Sequence, residues 1–241
     1  MGFEQQCGVY GKLPMHGDFV HRNLPTTFIT PWDEWLQRYI ASSKEQMGEA
    51  WLDTYLTSPI WRFVLSAGVI DKQHWAGIML PSVDQVGRYY PFSVVMPLKP
   101  ELNPIEFISH QSPWFESIEA LALSALEEQI SVDDLADEVN NINIDFTLNH
   151  TKRGQQPDTH SVQMNRVLGE NFPISVYACL LDSIMLKTMN CYSIWATSGS
   201  EKVLPCFVTV KNMPAANQLP AMMDGEWAYW GWPQPYSKYD E

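Results

Sequence analysis

The chain has 241 residues, 45% hydrophobic and 18% charged, a soluble globular composition long enough for one large domain or two small ones. A formal charge of −13 excludes the basic footprint that nucleic acid or an anionic membrane surface requires. No run of about 18 apolar residues marks a membrane span, and Cys7, Cys179, Cys191 and Cys206 show neither a C-x-x-C pair nor a secreted-framework spacing.

Three of these cysteines lie in runs that read as buried, and Glu4, Gln5 and Gln6 interrupt any apolar leader. The expectation is a cytoplasmic protein whose thiols stay reduced. Charge is unevenly placed: residues 1–100 carry 8 basic and 9 acidic groups, so −12 of the total falls on residues 101–241. An acidic second half attracts a basic protein face or serves plain solubility.

In chain order, Gly8-Val9-Tyr10-Gly11-Lys12-Leu13-Pro14 reads as a strand ending in a proline-terminated turn, and Met15–Phe19 as a loop. Gly11-Lys12 is not a phosphate loop, because Gly8 is too close and Leu13 stands where Ser or Thr is required. His16, Asp18 and His21 lack the helical i,i+4 pair or cysteine partner that a metal site would need. Thr30 reads as an N-cap with Pro31 at the first helical position, and Asp33 and Glu34 oppose the positive helix end. Trp32, Trp35, Leu36, Tyr39 and Ile40 then form one apolar stripe. It resumes at Met47, Trp51, Leu52, Tyr55 and Leu56, with a possible break near Ser42-Ser43, and Thr57-Ser58-Pro59 ends it.

Three strands follow, over residues 60–67, 75–80 and 90–98, joined by connections short enough for an antiparallel meander. Arg62 should face away from Trp61 and Phe63. The turn between the last two strands, Pro81-Ser82-Val83-Asp84-Gln85-Val86-Gly87-Arg88, packs hydrogen-bonding side chains around a glycine free to take φ > 0. Polar residues held rigidly on such a connection suit binding; the plain alternative is a self-satisfied turn closed by an Asp84–Arg88 pair.

Beyond residue 100, Asn103-Pro104, Ser112-Pro113 and Ser131 with Asp134 read as helix starts. Ile142, Ile144, Phe146 and Leu148 alternate as a strand. Residues 149–160 form the most polar stretch. Tyr177, Leu180, Leu181 and Ile184 mark a further helix, and residues 192–197 and 203–210 a hairpin around Ser198-Gly199-Ser200. A short helix over 218–223 leads to Trp227, Tyr229, Trp230 and Trp232, which either pack back or leave a sticky patch. With no repeat and no linker, the expectation is one α+β domain, a largely antiparallel central sheet with helices packed on it.

Four motifs in this order resemble the TagF (ImpM) family of type VI secretion-associated proteins. They are Gly8-x-x-Gly11-Lys12-Leu13-Pro14-x-x-Gly17-Asp18-Phe19, Trp32-Asp33-x-Trp35-Leu36, Pro59-Ile60-Trp61-Arg62-Phe63 and Pro81-Ser82-Val83-Asp84-x-Val86-Gly87-Arg88-x-x-Pro91. The likeness covers residues 8–98 and is thin afterwards, mainly Trp195-x-Thr197-x-Gly199. It implies a cytoplasmic post-translational repressor of type VI secretion that binds a forkhead-associated scaffold protein. It carries no catalytic residue, cofactor or metal.

No contact residue comes with the resemblance; the rigid polar turn itself offers Ser82, Asp84 and Arg88, with Lys12 and Asp18 of the first loop, as the residues that would meet a partner. Two other readings compete. A hydrolase would use Ser82 and Asp84, with or without His16, but Ser82 lies in no G-x-S-x-G elbow. A structural subunit of the secretion apparatus would use the aromatic tail as an assembly face. If the acidic half steers a basic partner, association should slow as salt is raised, because charges beyond about 8 Å are screened at physiological ionic strength. An on-rate flat between low and high salt would leave those charges a role in solubility alone.

Overall fold

Trp61, Phe63 and Leu65 alternate with Arg62 and Val64 along β3 (Trp61–Leu65), and a strand sends the two sets to opposite faces. In the computed structural model, which describes residues 6–144, 174–233 and 236, both faces are covered. The sheet also contains β1 (Gly8–Gly11), β2 (Val20–Arg22), β4 (His74–Leu80), β5 (Phe92–Leu98), β6 (Tyr192–Thr197) and β7 (Cys206–Lys211). Its order is β2-β1-β5-β4-β3-β6-β7, and every neighbouring pair is antiparallel. The expected meander is present, with Phe63 opposite Gly77 and Gly77 opposite Val95. The fold is α+β.

One face carries α1 (Thr26–Met47), α2 (Trp51–Leu56) and the short α7 (Ala221–Asp224), and its core is aromatic. Trp32, Trp35, Phe63 and Trp195 form a continuous ring cluster with centroid separations of 4.8–6.3 Å, and Trp61 is buried in the same core. Indole N–H groups in this interior find acceptors, as burial demands. Trp32 donates to Ser93 Oγ, Trp35 to the Pro214 carbonyl, Trp51 to Ser43 Oγ and Trp61 to the Met222 carbonyl.

The opposite face is mainly aliphatic and is covered by α3 (Pro104–His110), α4 (Ser112–Leu126), α5 (Val132–Asn141) and α6 (Ile174–Met189). Arg62 points to this side, as its alternation requires, and pairs both oxygens of Glu119 on α4 at 2.6 and 2.8 Å. Asn103 caps α3 and Ser131 caps α5 through their side chains, as the sequence indicates.

Several local expectations need correction. Pro31 lies inside α1, which starts at Thr26, so Thr30 is not its cap. The added turn is held by Phe28, wholly buried at 5.5 Å from Trp32 and 4.3 Å from Trp75. Only one backbone bond is forgone, since proline lacks the donor that would reach the Thr27 carbonyl. The break between α1 and α2 falls at the 3₁₀ turn Gly48–Ala50, not at Ser42-Ser43, because Ser43 Oγ donates back to the Tyr39 carbonyl within an unbroken helix. Gln111, not Ser112, precedes α4, and it lends no side-chain cap.

Residues 142–144 form no strand; the remainder of that predicted element and the polar stretch 149–160 lie outside the described residues. The aromatic tail packs back: Trp227 meets Trp61 and Trp232 edge-on, and Trp230 donates to Asp224. Tyr229 stays exposed. All four cysteines are free thiols, and Cys179 is half-buried, not in the core. Among the described residues, no helix is long and apolar enough to cross a membrane.

Trp35 is buried among Trp32, Tyr39 and Trp195. Trp35→Ala should therefore cost about 3–5 kcal/mol, read as a lower urea midpoint at unchanged slope. A near-wild-type midpoint would remove Trp35 from the core.

Candidate functional site

The β4–β5 connection and the loop after β1 are packed together at one end of the sheet. The sequence makes that approach obligatory. Gly11 has φ 137° and sits so close to β5 that a Cβ would lie 2.2 Å from the Pro91 carbonyl oxygen. A side chain there would push Lys12 out of place. The Gly87 N–H closes the turn on the Asp84 carbonyl at 3.0 Å, and its left-handed φ of 84° then returns the chain so that the Asp84 N–H reaches the Arg88 carbonyl at 3.0 Å.

Asp84 is the centre of this arrangement. Its side chain is wholly buried, and one oxygen, Oδ2, accepts from the Lys12 ammonium and from Arg88 Nε at 2.6 Å. The other, Oδ1, accepts from the backbone N–H groups of Val86 at 3.1 Å and Arg88 at 2.7 Å. The Arg88 guanidinium also donates to the Gly17 carbonyl, and Gln85 N–H donates to the His16 carbonyl, so the two loops are tied in both directions. Burial pushes the Asp84 carboxyl up; the Lys12 ammonium and the Arg88 N–H groups overcome it and hold the group well below the usual carboxylate range.

Ser82 belongs to the same node. Its Oγ donates to the Lys12 carbonyl at 2.6 Å, while the Tyr55 hydroxyl both donates to the Ser82 carbonyl and accepts its N–H, each at 2.9 Å. Beside it, Tyr10 and Tyr90 donate to one oxygen of Asp33 at 2.5 and 2.6 Å. Burial, then the Asp33 carboxylate, raises both phenols, so they remain protonated donors.

Of the residues singled out in the sequence, Lys12, Ser82, Asp84 and Arg88 are brought together, and the Asp84–Arg88 pair of the plain reading is present with Lys12 added to it. Lys12, Ser82 and Asp84 are buried, which leaves them no surface for a partner. Arg88 is the member whose side chain reaches solvent, 56% exposed, and Asp18 lies on the exposed loop nearby. What the sequence reading did not single out is the apolar rim above the node. Met15 (49% exposed), Phe19 (46%) and Val86 (66%) protrude from the two loops. Phe19 is braced from below by the Lys12 ammonium 4.8 Å from its ring centre and by Tyr90 edge-on at 4.9 Å. The signal available was the apolar character of Phe19 and Val86 inside otherwise polar turns. His16, Asp18 and His21 do not converge, and among the described residues no group of three or more His, Cys, Asp or Glu side chains is placed to hold a metal.

These same loops lie within the match to a family model, the TagF N-terminal domain, described as type VI secretion system-associated, which covers residues 8–142. The chain belongs to the TagF family. Family likeness thus extends well past residue 98. The crystal structure of PA0076 from Pseudomonas aeruginosa PAO1 is similar over 98% of this chain and 100% of its own, with 31% sequence identity and a TM-score of 0.80. No curated protein matches the sequence. As a TagF protein, the chain is associated with the type VI secretion system.

A carboxyl whose folded pKa lies below its unfolded value, near ~3.9, adds stability that is complete above that value and is lost as pH falls through the folded one. Asp84→Asn should therefore be less stable than the wild type at neutral pH and show a shallower loss of stability in acid. Lys12→Met, which breaks the buried pair from the other side, should cost about 3 kcal/mol. Urea midpoints measured from about pH 2 to 7 check both. Parallel acid limbs for wild type and Asp84→Asn would mean that Asp84 is not held ionised by the fold.

Proposed function

We propose that this TagF protein is a post-translational repressor of type VI secretion that works in the cytoplasm by binding a forkhead-associated scaffold protein. One observation carries the reading: the ionic groups of the node are consumed internally, while the loops they fix present Met15, Phe19, Val86 and Arg88 at the surface. Aromatic, methionine and arginine side chains on a rigid support are what the centre of a protein interface is made of. Such a surface binds without having to order itself first. In this reading Lys12, Ser82 and Asp84 act on the partner only through the loops they hold, and Asp18 and Arg88 supply polar contacts at the edge.

A catalytic reading has little beneath it. The Ser82 hydroxyl donates into the protein, to the Lys12 carbonyl, and is not directed at a histidine base. The buried carboxylate is saturated by cations and amides, which suits a brace better than a proton acceptor.

The test is binding of the purified chain to the purified scaffold by calorimetry. Val86→Asp and Phe19→Ala should each weaken binding by about tenfold or more, equivalent to ~1.4 kcal/mol, with melting temperatures close to wild type because Val86 is 66% and Phe19 46% exposed. Wild-type affinity in both variants would place the scaffold contact on another face.

A further inference from the structure

The two edges of the sheet are built differently. At one end, β2 is only three residues long, and Arg22 Nε pairs with Asp133 on α5 at 2.7 Å, closing off the edge. At the other end, β7 runs for six residues, and none of them is fully buried. The Asn212 N–H donates to the Cys191 carbonyl just beyond the β6–β7 pairing, which sets the phase of the ladder. Alternate residues point the same way, so Cys206, Val208 and Val210 turn their backbone groups toward β6. Phe207, Thr209 and Lys211 turn theirs outward, and among the described residues nothing bonds to them. The strand holds no proline, and Lys211 is its one charge. Such an edge is a template for another strand.

The pattern on β7 is self-complementary. We propose that β7 is a pairing edge for a second copy of this chain, the two strands lying antiparallel about a two-fold axis through Thr209 and joining the two sheets into one. In that register Thr209 faces Thr209 of the partner subunit, and Phe207 faces Lys211 of the partner subunit. Threonine pairs and an ammonium over an aromatic ring are both favourable cross-strand neighbours. All three positions have outward-facing amides, so the same pairing satisfies the whole free edge.

Charge fits the occupant. The chain carries −13, yet residues 202–211 hold two lysines and no carboxylate, so two acidic copies meet where neither brings negative charge. Phe207 (58% exposed) lies on the same face as α6, which packs on β6 through Tyr192 and Asp182, and pairing would cover it. An edge of six residues falls toward the small end of specific interfaces, below about 1,200 Å². The expected dimer is therefore reversible, with a Kd on the order of tens of micromolar.

Sedimentation of the full chain over a concentration series tests this. The weight-average mass should rise from 27.6 kDa toward twice that value, and Thr209→Lys, which sets two ammonium groups face to face, should keep the chain monomeric with an unchanged melting temperature. Thr209→Cys should cross-link under mild oxidation far more than the wild type, since a hydrogen-bonded antiparallel pair holds its Cα atoms about 5.5 Å apart, within disulfide reach. The native Cys206 gives little background, as burial pushes its thiol up to about 11. A wild-type chain that stays monomeric up to about 1 mM, a dimer that persists in Thr209→Lys, or a Thr209→Cys variant that cross-links no more than wild type would overturn the proposal.

Discussion

A carboxylate with no access to water needs its charge answered on the spot, and that demand at Asp84 organises this end of the molecule. Four groups answer it: an ammonium, a guanidinium and two backbone N–H groups. Two of the four belong to Arg88 and one to Val86, so the turn folds around the charge. The fourth comes from Lys12, whose burial in turn requires the close passage of Gly11 against β5. Remove the charge, and the reason for each of these placements goes with it. A buried ion pair adds little net stability over apolar packing, but it is intolerant of alternatives. What it fixes here is the relative position of two loops beyond the point where the β1–β5 ladder ends.

The sheet supports this by dividing its packing between unlike faces. Rings with N–H handles crowd one side, and each buried indole must be aimed at an acceptor. The opposite, mainly aliphatic side draws on four helices. The ring side is therefore the more exacting of the two, and α1 and α2 lie on it, directly below the strand ends that carry the two loops. Tyr55 on α2 reaches the Ser82 backbone from here, which links the aromatic core to the ionic node by two hydrogen bonds.

Much of this was legible in the amino-acid sequence where the determinants are local. The alternation around Arg62 placed its guanidinium on the face away from Trp61 and Phe63, and the meander followed from short connections. The caps at Asn103 and Ser131 were readable because a cap acts within four residues. The start of α1 was not, since the burial of Phe28 against Trp75, 47 positions away, outweighs the local signal of Thr30-Pro31. Nor was the role of Lys12. Its partner is 72 residues distant, and a lysine in a polar loop gives no sign that it will be buried. The rim was missed for the opposite reason: exposed Phe19 and Val86 look like core residues until the fold leaves them outside.

The centre of the sheet has a consequence for how the chain is divided. β3 lies between β4 and β6, so one of its two neighbours comes from residues 192–197, well beyond the stretch matched by the N-terminal family model. A fragment cut at residue 142 would turn a central strand into a bare edge and strip Trp195 from the ring cluster around Trp32 and Phe63. During synthesis the same holds in time. The two loops of the ionic node are complete once residue 90 has left the ribosome, but the sheet that carries them cannot close until more than a hundred further residues have followed. The boundary recognisable in sequence is thus not a boundary in folding, and the early part of the chain waits on the late part for its own core.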